Sequence, residues 1–236
     1  MFKVGKVSYL NTLPLFYSLE GFEVVEGVPS ELVEKLRRGE IHAGIVSSVE
    51  YFFNPQDYFI LSGISISSRG SVCSVKLFSN EPMEKIREVN ITKASLTSRE
   101  LLFYLFEKKF GFVPKESEEA QAKLLIGDEA MEQKGYKFVY DLGEEWFKLH
   151  GLPFVFALFL VKRDADISKA KFLKKEIKKS VKNFFEEGIK NIKNKEYFKN
   201  CLDYSLGGEH IKSLINFYAY LSRKFKKQVP KLKFVL

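Results

Sequence analysis

Val7-Ser8-Tyr9-Leu10-Asn11-Thr12-Leu13-Pro14-Leu15 reads as a short strand that ends in polar residues and runs straight into a helix. Val4, Val7 and Tyr9 favour a strand, and Asn11 and Thr12 favour a helix N-cap. Pro14 falls in a first turn, where its missing N–H costs nothing. The strand tip therefore offers an amide, a hydroxyl and free backbone N–H groups. Such a place suits an anion, because unpaired N–H groups and the helix dipole both favour negative charge. The same residues also suit a helix start that is merely capped.

Downstream the pattern repeats. A helix over 13–20 and a strand over 22–26 lead to Pro29-Ser30-Glu31, which opens a helix with Ser30 as cap and Leu32, Val33 and Leu36 as its apolar stripe. A buried strand over 41–46 ends in Ser47-Ser48, which can cap a helix through 53. Strand, helix, strand, helix, strand, helix is the order of a parallel sheet with crossover helices. Ligands of such sheets lie beyond the carboxyl ends of the strands, so Asn11 and Ser47 face one crevice.

Two further strands are predicted over 60–66 and 72–78, separated by Ser67-Ser68-Arg69-Gly70-Ser71. This segment can hold a carboxylate or form an ordinary turn. Along the second strand Cys73, Val75 and Leu77 point one way and Ser74 and Lys76 the other, and a polar Ser74 needs a partner in a cleft. After the break at Asn80-Glu81-Pro82, Thr97 and Ser98 stand at the start of an apolar helix over 99–106. A strand over 122–126 ends in Gly127-Asp128, where Asp128 reads most simply as an N-cap. A strand over 155–161 is expected to return and pair with 72–78. Helices over 167–188, 192–204 and 208–226 complete the chain. Crossings near 80 and 160 give an α/β clamp of two lobes with a ligand cleft between them. Residues 1–84 and 157–236 form one lobe, and 85–156 form the inserted one.

The formal charge of +8 on 236 residues admits an anionic partner. The lysines, however, crowd between Lys162 and Lys233 on helical segments that also carry Glu176, Glu186, Glu187 and Glu196. This is a solvated basic face rather than a nucleic-acid surface. Cys73 and Cys201 are too few for a disulfide framework and stand in no metal-binding spacing, which points to a reducing compartment. With no apolar signal core and no apolar run long enough to span a bilayer, the chain reads as soluble and cytoplasmic, without a membrane or nucleic-acid partner. No P-loop, GxGxxG after a strand, GxSxG or HExxH occurs, and His42, His150 and His210 have no ligand spacing. Neither a cofactor nor a metal is expected.

With these residues in view, the chain resembles the chorismate dehydratases of the futalosine route to menaquinone. The resemblance runs through ordered blocks: Ser8-Tyr9-Leu10-Asn11-Thr12-Leu13-Pro14, Ile66-Ser67-Ser68-Arg69-Gly70-Ser71-Val72-Cys73-Ser74-Val75, Ser95-Leu96-Thr97-Ser98, Leu125-Ile126-Gly127-Asp128, and 141–146 through 151–157. It departs at His150, where threonine is expected, and at Ser71, where proline is common. The related cyclising lyase differs in its N-terminal motif and carries a catalytic histidine. The resemblance implies a periplasmic-binding-protein type II fold and loss of water from chorismate, a dicarboxylate, to give 3-[(1-carboxyvinyl)oxy]benzoate. It further implies Asn11 and Ser74 near the reacting carbons, with Tyr9, Leu10, Ser47, Ser68, Arg69, Thr97, Ser98, Gly127 and Asp128 around the substrate. A binding or sensor protein that uses the same clamp for an anionic metabolite is the alternative.

Overall fold

The computed structural model describes residues 1–92 and 94–235. The chain opens with β1 (Lys3–Val7), a single turn at Leu10–Thr12, α1 (Leu13–Phe16), β2 (Glu23–Gly27), α2 (Pro29–Arg37), β3 (Ala43–Ser47), α3 (Ser48–Phe53) and β4 (Tyr58–Ser68). As the alternation of strand and helix requires, β1 runs parallel to both β2 and β3. Two local expectations change. Pro29 occupies the first turn of α2 with Val28 at its N-cap, so Ser30 lies inside the helix and does not cap it. Thr12 makes no capping bond either. Its hydroxyl donates to the carbonyls of Val7 (2.8 Å) and Tyr9 (2.9 Å), fastening the strand tip to the turn that follows.

The second unit holds β5 (Val75–Ser79), β6 (Glu88–Ile91), α4 (Leu96–Phe110), β7 (Lys115–Glu116), β8 (Lys123–Ile126), α5 (Gly127–Glu132), β9 (Phe138–Asp141) and α6 (Leu142–His150). The chain then returns as β10 (Phe154–Lys162), α7 (Ile167–Glu186), α8 (Lys195–Asn200), α9 (Gly208–Phe225) and β11 (Phe234–Val235). The sheets have the orders β11-β4-β10-β3-β1-β2 and β7-β6-β8-β5-β9. The pairing expected between 155–161 and 72–78 does not form. β10 lies antiparallel between β3 and β4, whereas β5 lies antiparallel between β8 and β9. The chain thus changes sheets between Ser68 and Val75, where Gly70 (φ +98°) and Cys73 (φ +64°) turn it aside. The strand alternation assigned to Cys73 and Ser74 begins only after them. A continuously apolar strand is buried on both faces and does not state which sheet it joins.

One side chain fixes that crossover. The Asp141 carboxylate caps α6 through the N–H groups of Gly143 (3.0 Å) and Glu144 (3.1 Å). It also accepts from the Ser71 hydroxyl (2.7 Å) and from the N–H groups of Val72 (2.9 Å) and Cys73 (2.7 Å). Gly143 is required beside it, because a Cβ there would lie 2.5 Å from Ser68 Oγ and 2.7 Å from the Gly70 carbonyl. From the other side Cys73 is joined to Cys201, just after α8, by a disulfide with Cα atoms 5.8 Å apart. Two cysteines, too few for a disulfide framework, are thus nonetheless paired with each other. Their 128-residue separation hides the pairing from any spacing rule.

The largest apolar cluster runs from Val46, Val49 and Phe52 through Leu101 and Leu105 to Phe154 and Phe217, with Trp146 fully buried in it. The Trp146 indole N–H donates to Ser213 Oγ at 3.0 Å, which satisfies its polar edge. On α7 the apolar stripe Ala170, Leu173, Ile177 and Phe184 is buried, while Lys169, Lys171, Lys175, Lys178, Lys179 and Lys182 are exposed, the solvated basic face expected from their spacing. Among the described residues no helix is long and apolar enough to cross a membrane. The stretch between α8 and α9 is tied to β4 by reciprocal backbone bonds between Ser67 and Asp203, both 2.8 Å. The Asp203 carboxylate accepts from Ser205 N (2.8 Å) and Ser205 Oγ (2.6 Å) and pairs with His210 Nε2 (2.8 Å). Burial opposes its ionisation, but the His210 ring and the Ser205 donors outweigh burial and bring the carboxyl down to about 2.

Asp141→Ala leaves buried donors unpaired and is expected to cost about 3 kcal/mol in urea unfolding. A loss below about 0.5 kcal/mol would show that the crossover does not depend on it. Because the folded state holds the Asp203 carboxyl below its ordinary 3.8, the stabilisation is full above that value and is lost as pH falls toward about 2. The stability gap between the wild type and Asp203→Asn should therefore be constant above about pH 5 and close in acid. A gap unchanged down to about pH 2 would contradict the assignment.

Candidate functional site

The carboxyl ends of β1 and β3 meet the crossover loop, the start of α4 and the β8–α5 tip around one cavity. Its empty volume is about 650 Å³ including its opening to solvent, within the range of small-molecule sites. Val7, Ile45, Val46, Ile66, Val72, Val75, Ile126 and Phe156 form an apolar floor. Tyr9, Asn11, Thr12, Ser47, Ser74, Ser95, Ser98 and the backbone at Gly127 supply polar atoms. Among the described residues lining it, no Asp, Glu, His, Lys or Arg appears. Tyr9 is the one ionisable side chain there, and burial, reinforced by Asp128 and Glu129, raises its pKa, so it remains a neutral phenol.

Among the described residues that line the cavity, Asn11 carries a buried side-chain atom without a partner. Its Oδ1 is buried and makes no hydrogen bond, although its own carbonyl is held by the Tyr204 hydroxyl at 2.7 Å. Ser74 is 1% exposed and stands directly before β5. Its hydroxyl accepts from the Tyr197 hydroxyl at 2.8 Å, and among the described residues its acceptor is the Val72 carbonyl at a long 3.3 Å. Its carbonyl receives the Gly127 N–H at 2.8 Å. Gly127 adopts φ +65° with the Tyr9 ring 3.1 Å from the position a Cβ would take, so a side chain would push the ring away.

The remaining candidates divide by position. Ser47 and Ser98 line the cavity. Thr97 lies one layer behind it, its hydroxyl 2.5 Å from Ser47 Oγ and 3.2 Å from both Ser48 Oγ and Val49 N. That cluster joins the end of β3 to the start of α4 and so holds the two units together across the cleft. Leu10 and Asp128 line an outer recess beside Tyr9, together with Lys6 and Glu26. Ser68 and Arg69 lie outside the cavity lining. The Ser68 hydroxyl donates to the Gly70 carbonyl at 2.9 Å, and the Arg69 guanidinium pairs with Glu209 at the surface.

Sequence reasoning passed over Ser95, Asp141, Tyr197 and Tyr204. Ser95 caps α4 by accepting from Ser98 N at 3.2 Å, and the serine-rich run before an apolar helix was the available signal. The tyrosines lie on a C-terminal segment more than a hundred residues from Ser74 and Asn11, and no local pattern marks them as partners. Among the described residues no group of three or more His, Cys, Asp or Glu side chains could hold a metal ion.

The fold has clear precedents in solved structures. A protein from Archaeoglobus fulgidus superposes with a TM-score of 0.71 at 17% identity, covering 95% of this chain and 97% of that one. The alkanesulfonate-binding protein of Xanthomonas axonopodis pv. citri, bound to MOPS, does so at 0.63 with 14% identity, covering 99% and 96%. The architecture is the periplasmic-binding-protein type II fold. In sequence, the chain is 33% identical over 196 residues to chorismate dehydratase of Thermus thermophilus, spanning 71% of this chain and 72% of that enzyme. It is 29% identical over 168 residues to chorismate dehydratase of Campylobacter jejuni, spanning 66% and 65%. A family model for menaquinone biosynthesis matches residues 2–223, and the chain belongs to that menaquinone biosynthesis family.

Proposed function

We propose that this protein is a chorismate dehydratase, a hydro-lyase that removes water from chorismate to give 3-[(1-carboxyvinyl)oxy]benzoate. The observation that carries the reading is a cavity lined by Asn11, whose buried Oδ1 has no partner, and otherwise supplied with hydroxyl groups. A buried acceptor left unpaired costs roughly 1–3 kcal/mol, and a ligand that donates to it recovers that cost. Chorismate carries one donor, its ring hydroxyl, and otherwise presents acceptors: two carboxylates and an ether. One acceptor facing several hydroxyls is the complementary set. The relatives from Thermus and Campylobacter, named for this activity, support the same substrate.

In the proposed reaction the C–H bond beside the ether breaks and its proton passes to the substrate's own enolpyruvyl carboxylate. The electron pair delocalises through the ring double bond onto the ring carboxylate. It then forms the new ring double bond as the neighbouring C–O bond breaks, and the departing hydroxide takes the proton back from the enolpyruvyl carboxyl group to leave as water. A substrate-borne base suits a cavity whose described lining lacks a carboxylate or imidazole. Asn is not a base, and Ser is a poor one without a partner, so both serve as hydrogen-bonding groups. Asn11 holds the ring hydroxyl through Oδ1 and a carboxylate through its amide N–H. Ser74, with Tyr197 on one lone pair, directs its own proton to the substrate. Ser98 and the Ser47–Thr97 pair supply the hydroxyls nearest the other carboxylate, and preorganised donors of this type commonly contribute about 3 kcal/mol each. A cytoplasmic location goes with this biosynthetic role.

Incubation of the purified protein with chorismate should consume it and give a product lighter by one water in mass analysis. Chorismate that is bound but unchanged would favour a binding or sensor role, and the reading would then fail. Asn11→Ala should lower kcat by about a hundredfold or more with the fold intact. The wild-type kcat should show no acid limb from a protein carboxylate or imidazole base between about pH 5 and 8. A single Asp or Glu other than Asp141, which holds the loop before Ser74, whose removal abolishes turnover without unfolding would contradict a substrate-borne base.

A further inference from the structure

We infer that Tyr197 is a positioning residue for Ser74, fixing through its hydroxyl the direction in which Ser74 offers its proton to the substrate. The inference rests on the dehydratase reading above and adds a residue from a distant part of the chain to that site. Tyr197 is 7% exposed and lies on α8, where it packs in a cluster with Phe184, Ile189, Phe198 and Cys201. Its hydroxyl donates to Ser74 Oγ at 2.8 Å. A serine hydroxyl has one proton and two lone pairs. With one lone pair taken by Tyr197, the proton is left for an acceptor elsewhere, and among the described residues it finds the Val72 carbonyl at a long 3.3 Å. A carboxylate or departing oxygen in the cavity is the better acceptor.

A second, independent tie joins the same two segments. The disulfide leaves the chain at Cys73, one residue before Ser74, and arrives at Cys201, one helical turn after Tyr197. The N–H of Cys201 donates to the Tyr197 carbonyl at 3.1 Å, so the anchor and the phenol belong to one rigid turn. Burial, with Asp128 and Asp141 adding to it, pushes the Tyr197 phenol well above its ordinary pKa, whereas the bond to Ser74 works in the opposite direction. The phenol therefore stays protonated through neutral pH. Tyr197 orients Ser74 and does not itself relay a proton to the leaving group.

Steady-state kinetics on chorismate tests this with Tyr197→Phe, Ser74→Ala and the double variant. Tyr51→Phe serves as a control for loss of a buried phenol bond, since the Tyr51 hydroxyl donates to the Lys231 carbonyl, away from the cavity. Tyr197→Phe is expected to lower kcat about tenfold with KM changed by less than about twofold, while Tyr51→Phe keeps the wild-type kcat. The double variant should be no slower than Ser74→Ala, because the phenol acts only through that hydroxyl. Wild-type kcat in Tyr197→Phe, or a loss that multiplies with that of Ser74→Ala, would overturn the inference and leave the dehydratase reading standing. Chorismate left intact by the wild-type protein would overturn both.

Discussion

The site depends on one buried carboxylate. Asp141 accepts hydrogen bonds from Ser71, Val72 and Cys73 on one side and from Gly143 and Glu144 on the other. With a single group it caps α6 and fixes the loop by which the chain leaves the first sheet for the second. Ser74 is the next residue along that loop. Its place in the cavity follows from electrostatics in the second unit combined with the path of a strand from the first. The close approach of Gly143 to the Ser68 and Gly70 atoms lets the carboxylate reach the loop at all.

The cavity itself is built from neutral donors. Charged groups of the described chain are used elsewhere, Glu50 with Arg37 and Glu100 with Arg99 and Lys224 among them. To bind the proposed dianion, a neutral pocket must use hydroxyl and amide dipoles, which cost little to reorganise once their partners hold them in place. The protein supplies those partners from a distance: Tyr197 behind Ser74, Tyr204 on the Asn11 main-chain carbonyl, and Ser47, Ser48 and Thr97 among themselves. The proposed chemistry and the observed packing therefore make the same demand, that hydroxyl groups point in fixed directions.

Periodicity was enough to read the parallel βαβ start, the strand tip at Asn11, the crevice position of Ser47 and most helix positions, although Ser30 and Thr12 make no cap. These are local properties. The partner of β5 was not local. Residues 72–78 and 155–161 are both apolar, and their assignment to different sheets is decided by the turn at Gly70 and Cys73 and by a carboxylate some 70 residues away. The Cys73–Cys201 bond and the tyrosines behind Ser74 and Asn11 were hidden for the same reason. Arg69 lies in a serine- and glycine-rich segment that could hold a carboxylate or form an ordinary turn, and the fold pairs it with Glu209 at the surface.

The central claim is that the unpaired Asn11 amide oxygen and the Ser74 position face one small-molecule acid together. A crystal structure of the Ser74→Ala variant with chorismate tests it most directly. The expected result is the ligand in the cavity with its ring hydroxyl about 3 Å from Asn11 Oδ1 and a carboxylate or its ether beside the vacated serine position. A ligand bound in the outer recess near Asp128, or one that leaves Asn11 Oδ1 unpaired, would contradict it.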